Sequence, residues 1–195
     1  MTQEELINKQ KGLRNRIVAY DEDGMPIWAA RSVAAEVIAF KLINHVWHVL
    51  ANQRGLNCPN NKGLWNVPSG YIDYNEEIED GAARETHEET GITVDPRSLK
   101  IFQLDSHVEL GDLKQNIVAV YWTVYRGDEE LTDRFSEENG IADIRWIPIG
   151  ELDNYKWVSN RHVGRIKKCY EDYISCQYIG SQYCEVEREY YGGGC

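Results

Sequence analysis

The chain has 195 residues, which is enough for one domain with a substantial hydrophobic core. Its 21 Lys and Arg residues against 32 Asp and Glu residues give a formal net charge of −11 at pH 7, which disfavours non-specific binding to nucleic acid because the phosphates are repelled. No basic N-terminal region precedes an apolar run, and no apolar stretch has the length of a membrane span. We therefore expect a cytoplasmic protein with neither a signal peptide nor a membrane partner.

Residues 1–32 are expected to form an N-terminal extension that contains a β-hairpin. The polar residues 1–13 predict a short helix or a frayed end. Strand-like runs at residues 14–20 and 27–31 flank the Asp-Glu-Asp-Gly turn at residues 21–24, which is typical of a hairpin.

Two apolar runs with many β-branched residues, 33–42 and 46–53, are predicted to form paired central strands. The short polar segment 44–45 between them indicates a turn. Arg54 follows the second strand directly, and residues 55–63, which include proline and asparagine, are typical of a loop.

A helix is predicted over residues 76–90. Asn75 is a suitable N-cap, acidic residues in the first turns fit the helix dipole, and Gly91 is a natural left-handed stop. Small side chains on one side of this helix are expected to pack against a sheet: Ala82, Ala83 and Thr86.

Three carboxylates lie on one face of the predicted helix. Glu85, Glu88 and Glu89 stand at i, i+3 and i+4, which places them within about 100° of arc, and Arg84 flanks the same face. Like charges at this spacing repel each other and do not stabilise an isolated helix. The two interpretations are a solvated acidic face and a site for a hard divalent cation, which prefers oxygen ligands.

The spacing of this region resembles the Nudix box, G-x5-E-x7-R-E-U-x-E-E-x-G-U, where U is a bulky apolar residue. Ile92 fills the last apolar position, whereas Thr86 stands where the family has an aliphatic residue. Upstream, residues 63–70 match the family pattern G-x-W-x-x-P-G-G except at Ser69. The seven fixed positions of the box are all filled: Gly70, Glu76, Arg84, Glu85, Glu88, Glu89 and Gly91.

The interleaved strands and helices favour an α+β domain. The resemblance implies a Nudix-type α/β/α sandwich with a mixed β-sheet, expected over residues 33–175, with 176–195 as a C-terminal tail. Within it, residues 99–110 and 117–126 are predicted to be two long antiparallel strands, and residues 144–147 a short strand followed by a helical turn.

Ser159 is predicted to cap a C-terminal helix with an apolar stripe formed by Val163, Ile166, Tyr170, Tyr173 and Ile174. The basic residues on its other faces are interpreted as solvated, with recognition of an anionic substrate or partner as the alternative: Arg161, Arg165, Lys167 and Lys168.

Five cysteines without a C-x-x-C pair predict reduced thiols. Four of them follow His162 at wide spacings, so a zinc site in this region is the alternative. The cysteines are Cys58, Cys169, Cys176, Cys184 and Cys195.

The resemblance implies hydrolysis of the pyrophosphate bond in a small-molecule nucleoside diphosphate derivative, such as a nucleotide sugar, an ADP-ribose-like compound or a nucleotide. Because substrate and helix face are both anionic, they can meet only through a cation, and Mg²⁺ or Mn²⁺ is the expected cofactor. The implied site consists of the metal ligands Glu85, Glu88 and Glu89, the catalytic residues Glu85, Glu88 and Arg84, and the substrate-binding residues Arg54 and Gly70.

Arg84 is expected to pair with one glutamate and hold its rotamer, and Glu76 to reach the cluster through water. The general base is left open between a glutamate of the box and a carboxylate outside it. A homodimer is compatible with the sequence. The candidates for the base outside the box are Glu109, Glu137, Glu138 and Asp143.

Two other functions stay open. A non-catalytic nucleotide-binding or regulatory module on the same fold would not need the carboxylates, yet this sequence retains every fixed acid of the box. Isopentenyl diphosphate isomerisation would need a reactive cysteine in the site, and Cys58 is the cysteine upstream of the box.

Overall fold

A computed structural model describes residues 16–24, 26–29, 32–58, 60–73, 75–106, 116–132 and 140–175 of the chain. Within these ranges, a seven-stranded sheet lies between two helices, and a separate two-stranded hairpin precedes it. The strands are β1 (Arg16–Tyr20), β2 (Pro26–Ala29), β3 (Val33–Ile43), β4 (Val46–Arg54), β5 (Trp65–Asn66), β6 (Ser69–Tyr71), β7 (Lys100–Asp105), β8 (Ile117–Val124) and β9 (Ile141–Pro148).

Two α-helices accompany the strands, α1 (Ile78–Thr90) and α2 (Asn160–Cys169). Short 3₁₀ segments occupy Pro96–Ser98 and Ile149–Asn154, and the π-helical turn Tyr170–Ser175 extends α2. No helix in the described ranges is both long and apolar enough to cross a membrane.

The predicted N-terminal hairpin is confirmed, because β1 and β2 pair in antiparallel register. The backbone N–H of Gly24 closes the turn by donating to the carbonyl of Asp21 over 3.1 Å. Gly24 has a φ of 79°, a left-handed conformation that glycine adopts without steric strain.

β3 is the central strand of the large sheet. It pairs antiparallel with β4 and β6 along one edge and parallel with β8 along the other, so the sheet is mixed, as predicted. The predicted turn between β3 and β4 is present, and Asn44 and His45 both have positive φ, 48° and 64°. Asparagine and histidine tolerate this conformation better than branched residues do.

Side chains of β3 alternate between two buried clusters, one on each face of the sheet. Ala35, Val37 and Ala39 pack toward α1, whereas Ile38 and Phe40 pack toward α2. Helices therefore cover both faces, which confirms the predicted α/β/α sandwich.

α1 begins at Ile78, two residues later than predicted, and its N-cap is Glu77 rather than Asn75. Asn75 has a φ of 60°, whereas an N-cap residue needs an extended backbone, so the predicted cap was wrong. The predicted stop is confirmed: Gly91 has a φ of 74°, and its N–H donates to the carbonyl of His87 over 2.8 Å.

The predicted small face of α1 packs against the sheet. Ala82 and Thr86 are fully buried, and Ala83 packs at the edge of the same cluster. The Thr86 hydroxyl donates to the carbonyl of Ala82 over 2.7 Å, one turn back along the helix, so this threonine brings no unsatisfied polar group into the core.

β7 and β8 pair antiparallel as predicted, although the described part of β7 ends at Asp105. β9 is longer than the predicted strand at 144–147, because Ile141–Pro148 pairs antiparallel with almost the whole of β4. The predicted helical turn follows as the 3₁₀ segment Ile149–Asn154.

α2 begins as predicted at the Ser159 cap. Its hydroxyl accepts from the backbone of Arg161 over 3.3 Å, and the His162 ring accepts from the backbone N–H of Ser159 over 3.3 Å. The predicted apolar stripe lies in the core, with Ile166 and Ile174 buried.

The interpretation of Arg165 as a solvated residue was wrong. Its side chain is 10% exposed and pairs with the carboxylates of Glu36 on β3 and Asp105 on β7, the latter at 2.7 Å. The imidazole of His162 lies 3.7 Å from Glu36. Glu36 alone would have indicated this network from the sequence, since a charged residue inside an apolar strand needs a buried partner.

The network holds Glu36 in its ionised form. Burial by itself would raise the pKa of Glu36, but the nearby His162 and Arg165 side chains outweigh it, so the pKa lies below its usual value. The buried carboxylates thus tie β3 and β7 to α2 through one guanidinium.

We expect Arg165→Met to lower the free energy of unfolding by about 3 kcal/mol near neutral pH, because Glu36 and Asp105 then stay buried without their cation. A folded-state pKa below the unfolded value stabilises the fold above the unfolded pKa, and this contribution disappears as the pH falls through the folded pKa. The difference in the free energy of unfolding between wild type and Arg165→Met should therefore become smaller as the pH is lowered toward about pH 4.

Urea unfolding curves at both pH values measure this difference. Arg161→Met, at an exposed position of the same helix, is the matched control and should change the curve much less. An equal effect of the two variants would contradict a buried role for Arg165.

Candidate active site

The carboxylates of α1 lie against β6, which pairs with the first residues of β3. Gly70 stands opposite Ala35 in this pairing. A Cβ atom at Gly70 would overlap the carboxyl group of Glu85, so glycine at this position lets the carboxylate lie directly against the strand. The structure thus brings together two of the predicted site residues, Gly70 and Glu85.

Arg84 organises the carboxylates around it. Its guanidinium binds both oxygens of Glu76, at 2.8 and 3.0 Å, and donates to Glu85 at 2.8 Å and to Glu88 at 3.4 Å. It also donates to the carbonyl of Tyr71 over 3.0 Å. One arginine therefore crosslinks three carboxylates and the end of β6.

Glu76 takes a different position from the expected one. Instead of reaching the cluster through water, it forms a two-pronged ion pair with Arg84. The Arg84 hydrogen bond, followed by one from the backbone of Asp73, holds the pKa of Glu76 below its usual value.

Glu89 has partners on two strands. Its Oε2 atom accepts from the side-chain amide of Asn52 on β4 over 2.7 Å and from the backbone N–H of Ser69 on β6 over 2.9 Å. These two donors fix the rotamer of Glu89.

Burial raises the pKa of Glu89 to about 8, although the hydrogen bonds from Ser69 and Asn52 lower it. Burial also raises the pKa of Glu85, against the opposing effect of Arg84. The neighbouring carboxylates add to both shifts by repulsion. A group of this kind, desolvated and short of positive charge, is stabilised by a bound cation.

Arg54 lies at the end of β4, near the same carboxylates. Its guanidinium donates to the backbone and side-chain oxygens of Asn60, at 3.2 Å each, and its positive charge lowers the pKa of Glu89. The predicted substrate-binding cation is thus near the acidic face, held by the loop that follows the strand.

Glu85, Glu88 and Glu89 fit a hard cation by their chemistry, although no three His, Cys, Asp or Glu side chains within the described ranges converge as a finished set of metal ligands. Arg84 binds Oε1 of Glu85, and two donors bind Oε2 of Glu89. The second oxygens of Glu85 and Glu89 accept no hydrogen bond from the described residues. They therefore keep lone pairs for Mg²⁺ or Mn²⁺.

Among the predicted bases, Asp143 on β9 is bound by neighbouring residues of its own strand. Its two oxygens accept from the backbone of Ile144 over 2.8 Å and from Arg145 over 2.7 Å, so the carboxylate is already neutralised. It stands opposite Gln53 in the pairing of β9 with β4. The other predicted bases outside the box lie outside the described residues: Glu109, Glu137 and Glu138.

The described cysteines are engaged elsewhere. Cys58 donates its thiol to the carbonyl of Gly140 over 3.1 Å, in the loop after β4. Cys169 is buried, and burial raises the pKa of its thiol to about 12. His162, the histidine considered for zinc, caps α2 and approaches Glu36. Cys176, Cys184 and Cys195 lie outside the described residues.

Asn52 and the Ser69 backbone are the site groups that sequence reasoning missed. Asn52 is 1% exposed in the otherwise apolar β4, and a buried amide in such a strand requires a polar partner. That signal was present in the sequence, but the partner, Glu89, was not predictable from spacing along the chain.

A family profile described as the NUDIX domain matches residues 33–169. Nudix hydrolase 7 of Arabidopsis thaliana is 28% identical over 159 residues, covering 78% of this chain and 54% of that protein. RNA pyrophosphohydrolase of Bartonella henselae is 35% identical over 100 residues, covering 48% of this chain and 56% of that protein. The chain thus spans about half the length of these two relatives. Phosphatase NudJ of Escherichia coli is 47% identical over 112 residues, covering 57% of this chain and 69% of that protein.

Solved structures share the fold. The NUDIX domain of Shewanella oneidensis NrtR, complexed with ADP ribose, superposes with a TM-score of 0.61 at 16% identity, covering 86% of this chain and 98% of that chain. Ap4A hydrolase of C. elegans superposes with a TM-score of 0.57 at 17% identity, covering 72% and 96%. Together with the match over residues 33–169, the completed box and the mixed sheet between two helices show that the chain belongs to the Nudix family.

Proposed function

We propose that the protein is an Mg²⁺- or Mn²⁺-dependent hydrolase that cleaves the pyrophosphate bond of a nucleoside diphosphate joined to another group. Its substrate class includes nucleotide sugars, ADP-ribose-like compounds and nucleotides. The observation that carries the proposal is the contact of the Glu85 carboxylate with Gly70. Together with Glu88 and Glu89, this carboxylate concentrates negative charge at a point where the strand has no side chain. The names of relatives, RNA pyrophosphohydrolase among them, support the same chemistry.

The carboxylates Glu85, Glu88 and Glu89 are the proposed metal ligands. A cation bound there would neutralise charge on the phosphates and increase the acidity of the attacking water. Arg84 supports this arrangement by holding Glu85 and Glu88 in place from one side. Gly70 leaves room for the Glu85 carboxylate against the strand, and Arg54 would contribute positive charge to the substrate phosphates.

The proton of the attacking water needs an acceptor, and a glutamate of the box is the proposed general base. Asp143 does not fit this role, because Arg145 and the Ile144 backbone occupy its oxygens.

We expect Glu89→Gln to lower turnover at least about 100-fold without unfolding the protein, because the amide keeps the shape of the side chain but weakens cation binding. Steady-state hydrolysis of nucleoside diphosphate derivatives measures turnover, and thermal unfolding checks the fold. Asp80→Asn, at an exposed acid of the same helix, is the matched control. Near-wild-type turnover of Glu89→Gln at saturating Mg²⁺ would remove Glu89 from the site.

Gly70→Ala is expected to displace the Glu85 carboxylate, since a methyl group would overlap it. The carboxylate is the mobile end of a side chain and can move away, so the fold should persist while Mn²⁺ affinity falls. Calorimetric titration with Mn²⁺ measures the loss. Gly164→Ala in α2, where a Cβ meets no atom within 4 Å, is the control and should bind Mn²⁺ as wild type does. Unchanged affinity in Gly70→Ala would show that Glu85 is not a ligand.

A hydrolase of this design must bind substrate and metal interdependently. Without a cation, the carboxylates repel the phosphates, since unit charges about 4 Å apart interact by roughly 4 kcal/mol at an effective dielectric near 20. Calorimetric titration with ADP-ribose and other nucleoside diphosphate derivatives, with Mg²⁺ and then with chelator, should therefore show binding that requires the metal. Phosphate-bond cleavage should accompany it, as measured by product mass.

The rival function is a non-catalytic nucleotide-binding or regulatory module on the same fold. Such a module recognises the nucleoside end of its ligand and tolerates removal of the metal. Equal affinity for a nucleoside diphosphate derivative in Mg²⁺ and in chelator, without cleavage of any ligand that binds, would support the non-catalytic module and contradict the hydrolase.

A further inference from the structure

Two buried asparagine side chains lie beside Glu89. Asn52 on β4 and Asn66 on β5 are 1% and 8% exposed and stand directly opposite each other in the antiparallel pairing of the two strands. The Asn52 amide nitrogen donates to Glu89 over 2.7 Å, and the Asn66 amide nitrogen lies 2.8 Å from the hydroxyl oxygen of Ser69. The Oδ1 atoms of both asparagines are buried and have no hydrogen-bond partner among the described residues.

Two buried carbonyl oxygens on opposite residues are energetically unfavourable, because each loses its hydration without a donor in exchange. The orientation of Asn52 is fixed, since turning its amide would set its oxygen against the carboxylate of Glu89. Asn66 is different, because the hydroxyl of Ser69 both donates and accepts. A half-turn of the Asn66 amide lets its oxygen accept from Ser69 and replaces its buried, unpartnered oxygen by an NH₂ donor on the residue opposite Asn52.

We propose that Ser69, Asn66, Asn52 and Glu89 form a closed ring of hydrogen bonds that positions Glu89. The Ser69 hydroxyl donates to Asn66, Asn66 donates to Asn52, and Asn52 donates to Glu89. The backbone N–H of Ser69, 2.9 Å from the same carboxylate oxygen, closes the ring. Asn52, Asn66 and Ser69 are positioning residues, and the inference rests on the proposed role of Glu89 as a metal ligand.

In the ring, each side chain donates a hydrogen bond to the next one, in the order Ser69, Asn66, Asn52 and Glu89. Glu89 is therefore addressed only as an acceptor at Oε2, and its Oε1 accepts no hydrogen bond from the ring. The ring also gives the Ser69 hydroxyl a function at a position where the family pattern has glycine. A glycine there would retain the backbone donor but leave the Asn66 oxygen without one.

Ser69→Ala is the decisive variant, because the Ser69 hydroxyl is three hydrogen bonds away from Glu89 and removing it leaves the backbone donor in place. The ring predicts that Mn²⁺ binds roughly three- to tenfold more weakly to Ser69→Ala than to wild type. Ser69→Thr keeps the hydroxyl and should restore the affinity. Calorimetric titration of the full chain with Mn²⁺ alone measures both, so the readout does not depend on turnover.

Two further variants separate positioning from general destabilisation. Thr123→Val removes a buried hydroxyl that pairs with Ser98 outside the ring, and it should lower thermal stability without changing Mn²⁺ affinity. Asn52→Leu breaks the ring at Glu89, so adding Ser69→Ala to it should have no further effect. Unchanged Mn²⁺ affinity in Ser69→Ala, or additive effects in the double variant, would overturn the ring.

An NMR measurement on the metal-free wild type tests the ring independently of the proposed function. The side-chain NH₂ protons of Asn66 should give a nuclear Overhauser effect to those of Asn52 and should exchange slowly with solvent. Rapid exchange and no such effect would refute the ring. If the wild type neither binds Mn²⁺ nor cleaves any nucleoside diphosphate derivative, the proposed function fails, while this measurement still decides whether the ring exists.

Discussion

The close approach of α1 to the bare backbone at Gly70 is the constraint on which the acidic site depends. It places the Glu85 carboxylate against β6. One helical turn later, it brings Glu89 to the donors at Ser69 and Asn52. Arg84 relieves the repulsion that this crowding creates, since its guanidinium neutralises part of the charge and fixes three carboxylates at once. The site is thus a compromise between burial, which opposes ionisation, and a small number of well-placed donors, which favour it.

The opposite face of the sheet, on the α2 side, also buries carboxylates, but there they stabilise the fold. Glu36 stands next to Ala35 on β3, so adjacent residues of one strand serve the two faces. On the α2 side, His162 and Arg165 together keep the pKa of Glu36 low, and Arg165 also pairs with Asp105. On the α1 side, the burial of Glu89 outweighs its donors and raises its pKa to about 8. The first arrangement is complete as it stands, whereas the second has unused affinity for positive charge.

The sequence predicted what depends on local patterns. Alternating and β-branched runs located the central strands, and the spacing of Glu85, Glu88 and Glu89 located the acidic helix face. Its errors arose where the partner is distant along the chain. Asn75 has the right chemistry for a cap but adopts a left-handed backbone, and Arg165 resembles a solvated helix residue until β3 and β7 bring their carboxylates to it. The donors to Glu89 are likewise set by strand pairing, which no spacing rule along the chain conveys.

The parallel pairing of β3 with β8 has a consequence for how the fold forms. Val33 lies opposite Ile117, so the middle of the sheet closes only when two distant parts of the chain meet. The hairpin of β3 and β4 can form early from local contacts, but the parallel edge must wait for the whole crossover that contains α1. Strands β7 and β8 join the sheet at that same step. We therefore expect this long-range closure, rather than the β3–β4 hairpin, to limit the rate at which the sheet is completed.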